Sequence, residues 1–223
     1  MRKHIMRRMI AAGIVAVLLL AASACSRLDV IGNGSVTAFE QVLNAMTDWV
    51  DYDEAGASWS LSAPDGSARF VWSGNWSASE FDAMLAVDAE PFLSAGLNPN
   101  LLSEGCVYQD GILMVGRNLG NDGTEADSPL SAYRLIVQNS RSAVSYHMAM
   151  DHFGVNVGFG MFEWAKDMAA NDKDIVFVLD PEPLLAAGVD PNAVEGWVFG
   201  EVEVHQNGKQ VKVEKFLKPF DLT

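Results

Sequence analysis

Cysteine is nearly absent, with only Cys25 and Cys106 in 223 residues. At most one disulfide can form, so the fold has to rest on a hydrophobic core rather than on cross-links. Cys106 reads as a small buried hydrophobe at the start of a strand. Basic residues are also scarce, 15 Lys and Arg against 29 Asp and Glu, for a net charge of −14. A surface of that sign repels phosphate backbones, which argues against nucleic acid as a partner. The apolar run at residues 10–20 is shorter than the ~20 residues a membrane-spanning helix needs. Also missing are a nucleophile elbow, a phosphate loop, a zinc-binding helix and a Cys-x-x-Cys pair, so the sequence points to no reaction and implies no cofactor or metal ion.

What the chain does contain is a repeat. Residues 88–105 read DAEPFLSAGLNPNLLSEG and residues 180–196 read DPEPLLAAGVDPNAVEG. At an offset of 92, without gaps, the match extends back to Phe70/Phe162 and Trp72/Trp164, giving 12 identities over positions 70–100. Two copies of one supersecondary unit follow.

The N-terminus decides the compartment. Arg2, Lys3, Arg7 and Arg8 precede the apolar run, and Ala22-Ser23-Ala24 offers a small-residue cleavage site, so residues 1–24 form a signal peptide and are set aside from the fold. The segment LAASAC, ending at Cys25, resembles the lipobox of bacterial lipoproteins. That resemblance covers the leader alone. It implies that Cys25 is lipidated, becomes the first mature residue and anchors an exported chain to the cell membrane or outer membrane, facing the periplasm or the exterior. Ala22 stands where the family most often has Leu, and the same three residues also suit ordinary signal cleavage, which would leave Cys25 and Cys106 able to pair. Without its leader the chain keeps 11 Lys and Arg against 29 Asp and Glu, a net charge of −18. Its apolar and aromatic content marks a globular body.

Residues 25–35 read as a tether, 36–117 as the first repeat unit, 118–129 as a polar, acidic linker and 130–223 as the second unit. In the first unit, apolar residues at three- and four-residue spacing predict a helix over 38–50, capped by Ser35 or Thr37. Alternation predicts strands over 58–63, 68–72 and 81–87. Glu90-Pro91 opens a short helix that Gly96 closes, and Asp110-Gly111 turns a final hairpin. The second unit restates this, with a helix at 130–139, strands at 144–150, 155–164 and 174–179, a short helix at 182–187 and a hairpin over 197–215. The predicted fold is therefore α+β: two tandem copies of a mainly antiparallel unit, each helix, three strands, short helix and two strands, with helices covering one face.

Candidate sites are few. His147, Asp151 and His152, with Met148 and Met150, suggest a copper-type cluster by ligand softness, but alternation puts His147 on the face opposite the methionines, and core methionines beside a surface turn explain the string. The carboxylates of 121–127 lack the spacing of a calcium loop. The repeated pairs Asp88/Asp180 and Glu90/Glu182 read as duplicated helix caps rather than acid–base groups. Tryptophans in strand alternation read as core, whereas Trp76 and Trp49 read as exposed. If the copies pack about a pseudo-twofold axis, Trp76, Asp151 and His152 fall on related rims of one groove and are the ligand-binding candidates. The functional expectation is a cell-envelope lipoprotein acting as a binding or interaction module, not an enzyme, with the membrane as one partner and a small molecule, peptide or surface polymer as the other. A structural or adhesion-type surface protein and an extracytoplasmic hydrolase of unrecognised type are the alternatives.

Overall fold

The computed structural model describes residues 30–74, 81–120, 123–147, 151–168, 174–206 and 209–219. The first unit runs α1 (Ser35–Ala45), β1 (Val50–Asp53), β2 (Ser58–Ser62), β3 (Ala68–Ser73), β4 (Ala83–Asp88), α2 (Glu90–Ser94), β5 (Cys106–Gln109) and β6 (Ile112–Arg117). The second runs α3 (Pro129–Asn139), β7 (Val144–His147), β8 (His152–Asn156), β9 (Gly160–Ala165), β10 (Ile175–Leu179), α4 (Glu182–Ala186), β11 (Trp197–Gln206) and β12 (Lys209–Pro219). Each unit forms a six-stranded antiparallel sheet in the same order, β1-β2-β3-β4-β6-β5 and β7-β8-β9-β10-β12-β11. The fold is α+β and duplicated.

Four strands, not three, precede each short helix. In the first unit the helix stops at Ala45, a 3-10 turn at Thr47–Trp49 follows, and Val50–Asp53 pairs with β2. Val50 fits the helical spacing by sequence but is the first residue of that strand. In the second unit the stretch 155–164 is broken by a turn in which the Gly158 amide donates to Asn156 Oδ1 at 2.9 Å. The apolar and aromatic residues on both sides hide this break. The expected cap of α1 is also different: Ser35 is the first helical residue, is buried, and its hydroxyl lies 2.5 Å from that of Tyr133 on α3. By contrast α3 has a full capping box, Ser128 with Ser131, and Pro129 in its first turn, the arrangement that satisfies orphan amides most completely.

The short helices are built alike. Asp88 Oδ1 accepts from the Glu90 amide and Asp180 Oδ1 from the Glu182 amide, both at 3.0 Å. Asn98 and Asp190, just past the short helices, repeat the device on Asn100 and Asn192. These carboxylates and amides cap backbone, as the repeated DPEP and DAEP segments lead one to expect.

One core serves both units. Phe39 of α1 stacks on Tyr133 of α3 at 4.0 Å, and Phe70 of β3 stacks on Phe162 of β9 at 4.5 Å. Each pair occupies equivalent positions in the two copies, so the interface is isologous, as at a twofold axis between identical subunits. Trp72 and Trp164 are fully buried beside them. In addition α1 contacts β9 and α3 contacts β3, so each unit's helix packs on the other unit's sheet. Burial of such side chains stabilises by about 1.5–3 kcal/mol each. Among the described residues no helix is long and apolar enough to cross a membrane.

Candidate functional site

Strand alternation gives each sheet an inner face, which builds the shared core, and an outer face. The inner positions keep their character between copies: Phe70/Phe162, Trp72/Trp164, Leu85/Phe177 and Leu113/Leu217 are all fully buried or nearly so. The outer positions have diverged. Where the first sheet has Ser58, Ser60, Arg69, Val71, Met84 and Met114, the second has His152, Gly154, Met161, Glu163, Val176 and Lys218. A duplicated scaffold therefore presents two chemically different surfaces.

Among the described residues the first surface is open. A groove of about 510 Å³ crosses it, lined by Asp53, Gly56, Ser58, Ser60, Arg69, Val71, Phe81, Met84, Val107, Gln109 and Met114. This is the size of a site for a small organic ligand. Its geometry follows from register: one row runs Ser60, Val71, Met84 and Gly116 across the sheet, and the row beside it runs Ser62, Arg69, Ala86 and Met114. The β1–β2 end is polar, with Ser58, Ser60 and Asp53; the β4–β6 end is apolar, with Met84, Met114 and Phe81. A Cβ at Gly116 would come within 2.4 Å of the Phe81 ring, so glycine there lets the ring settle on β6 and wall that end. Val71 is buried in the floor, while Arg69 is exposed and stands at the side. Unbranched thioethers adapt to irregular apolar ligands, and a guanidinium offers a planar fork of donors for a carboxylate or phosphate. A separate void of about 10 Å³ beside Ser73 and Asp82 has room for one water at most; Asp82 there accepts from the Leu119 amide at 2.6 Å and ties down the start of the linker.

The second surface is filled by its own side chains. A Cβ at Gly154 would lie 2.8 Å from Met161 Sδ, and one at Gly200 would lie 2.4 Å from the Phe216 ring, so both side chains occupy space that a β-carbon would need. His147 and His152 are direct cross-strand partners there, and Glu163 opposes Gly154. His152 is only 7 % exposed, with Nδ1 unpartnered among the described residues. Burial raises the Glu163 carboxyl above the usual carboxylate range, against the lowering pull of His147, His152 and Lys218. Among the described residues no three His, Cys, Asp or Glu side chains come together to hold a metal ion.

Of the residues picked out by sequence, His152 lies on the second sheet and Asp151 in the turn before it, and neither lines the groove. Asp151 adopts a left-handed turn conformation at φ 53, accepts a hydrogen bond from the Tyr146 hydroxyl and sits 3.6 Å from Lys166 Nζ. That bond to Asp151 raises the Tyr146 hydroxyl pKa, so the carboxylate is engaged in closing the turn. Trp76 and Cys25 fall outside the described residues. Trp49 is 39 % exposed, and Tyr52 packs on Trp59 at 4.5 Å. Sequence reasoning passed over the groove residues because Ser, Val, Met and Arg at alternating positions look like an ordinary solvent-facing strand pattern. The usable signal was the mismatch between copies, with Arg69 and Val71 facing Met161 and Glu163 in the alignment. No protein-family model, curated protein or solved structure matches the chain.

Proposed function

We propose that the chain is an exported lipoprotein, held at the cell envelope through lipid on Cys25, whose folded body binds a small amphipathic ligand in the groove of the first sheet. The observation that carries this reading is the divergence of the outer faces on a conserved frame: the same six strands leave a groove of about 510 Å³ in one copy and a self-filled surface in the other. In this reading the long helices cover the inner faces, so the outer face of the first sheet remains available for a ligand. The apolar part of the ligand lies on Met84, Met114 and Phe81, and an anionic group meets Arg69. The strongly acidic surface favours a molecule with a single anionic group over a polyanion.

The hydrolase alternative asks for two carboxylates sharing a cleft. Glu163 has two histidines and a lysine beside it instead, on the sheet without the groove, so the binding reading is preferred. A thermal-shift screen of the mature protein against fatty acids, lysophospholipids, sugars, peptides and metals tests it, because a ligand that binds only the folded state raises the melting temperature. A single-chain amphipathic anion is expected to give the largest shift, reduced by Arg69→Ala and abolished by Met84→Lys. A shift that survives both substitutions would place the ligand elsewhere.

A further inference from the structure

The hairpin β11–β12 is longer than the frame requires. Leu113 and Leu217 are equivalent, since they face Val87 of β4 and Leu179 of β10, and their hairpin partners are Tyr108 and Phe199. Tyr108 and Leu113 are 5 positions apart, whereas Phe199 and Leu217 are 18 apart, so the second copy carries 13 additional residues at this tip. They form a two-stranded ribbon beyond the end of β10. The residues of this ribbon from Glu201 to Glu214 whose burial is described are all exposed, and Val202, Val211 and Val213 are 49, 54 and 46 % exposed. A lone two-stranded ribbon is marginal in water and has open hydrogen-bonding edges that invite a further strand.

We propose that this arm is a self-association surface, in which β12 pairs antiparallel with β12 of a second copy about a twofold axis at Val213. The charge pattern selects both partner and register. In a twofold antiparallel pair only residues of the same face oppose one another, so the axis passes through a residue. Within one copy Lys212 already pairs with Glu214, and Lys215 with Glu182 at 2.9 Å; centred on Val213, Lys212 of each copy exchanges that partner for Glu214 of the other, Val213 faces its own counterpart, and Val211 faces Lys215. Centred on Lys212 or Glu214, a charge faces itself; centred on Val211, Lys212 faces Gln210 and no ion pair forms. On the other strand, a twofold centred on Val202 sets Glu201 against Glu203 and one centred on Glu203 sets it against itself, and like charges directly opposite are destabilising. The described part of β11 thus discourages strand addition at its edge while β12 accepts its own copy, the strand-addition mode of recognition. Each copy keeps its groove, and the proposal does not depend on a ligand there.

Cysteine cross-linking of the full chain in native membranes and in detergent tests the geometry. Val213→Cys is expected to give a covalent dimer with a short bismaleimide, whereas Val107→Cys, of similar exposure, is not. In the Val213→Cys background, Lys212→Glu or Glu214→Lys alone should lower the dimer yield roughly tenfold, and the two together should restore it, because cross-strand charge pairs are worth a few tenths to one kcal/mol each and occur twice about the axis. Unchanged melting temperatures establish that these exposed positions leave the fold intact. Absence of the Val213→Cys dimer, a yield indifferent to single charge reversal, or failure of the double reversal to restore it would each overturn the proposal.

Discussion

Gly96 and Gly188 meet across the pseudo-twofold axis, each where only a glycine fits. A Cβ on Gly96 would lie 2.9 Å from the Gly188 carbonyl oxygen, and one on Gly188 would lie 3.1 Å from that of Gly96. The chains on either side are stitched reciprocally: the Asn98 amide donates to the Ala187 carbonyl at 2.8 Å, and the Asp190 amide donates to the Ala95 carbonyl at 2.9 Å. Both glycines also end their short helices at positive φ, 102 and 98, as a helix C-terminus of this type requires. One residue type therefore serves a turn within each unit and the contact between units.

Gly96→Val and Gly188→Val should each destabilise by about 2–4 kcal/mol, adding backbone strain to overpacking. Gly111→Val is the control. Gly111 also has positive φ, 84, but nothing lies within 4 Å of its Cβ position, so only the strain of about 1–2 kcal/mol applies. Urea unfolding of the three variants checks the order. Equal losses at all three sites would mean that the glycine contact contributes nothing beyond the turn.

The duplication was legible in the sequence only as far back as Phe70, and the structure shows why. Equivalent elements upstream, α1 with α3 and β2 with β8, are 94 residues apart, while β3 with β9 and β4 with β10 are 92 apart. Two residues are missing from the turn between β8 and β9, which shifts an ungapped alignment out of phase. Capping survived this because Asp88 and Asp180 act on backbone two residues away, a local rule that sequence states directly. The groove was not legible, since an outer-face Val71 or Met84 alternates like a core residue on the wrong side, and only the register of four strands sets them beside Ser60 and Met114.

Cys106 is 7 % exposed, and burial pushes its thiol up to about 11, with the Asp180 charge adding to the shift and a hydrogen bond from Ser103 opposing it. At pH 8 roughly one thiol in a thousand is then ionised, and the thiolate is the reacting species. Alkylation by iodoacetamide should be at least about 100-fold slower in the native protein than in urea. A native rate close to the unfolded one would show that β5 opens readily from its sheet edge.

If Cys25 carries the anchor, replacing it with Ala should release the chain from the membrane fraction, and intact-mass analysis of the wild type should show a diacyl or triacyl adduct on a chain that begins at residue 25. A Cys25→Ala protein that remains membrane-bound would sink the lipobox reading and leave the leader as an ordinary signal peptide.

Glu163 gives the protein a pH dependence of definite sign. Its carboxyl is raised by burial, only partly offset by His147, His152 and Lys218, so the folded state holds this proton more tightly than the unfolded chain does. Below the unfolded value near 4.5 both states are protonated and the group is neutral in its effect. As pH rises through the raised folded value, the half-buried carboxylate becomes charged and its contribution to stability is lost, leaving a penalty at neutral pH. Glu163→Gln removes the charge and keeps the shape. It should be more stable than the wild type at pH 7, with a difference that shrinks on acidification and vanishes by about pH 4. Melting temperatures of both proteins across pH 4–8 decide the matter. A variant less stable than the wild type at every pH would mean that the carboxylate is held by its cationic neighbours more strongly than its burial costs, and that the second sheet's outer face is an ion-pair network rather than a strained one.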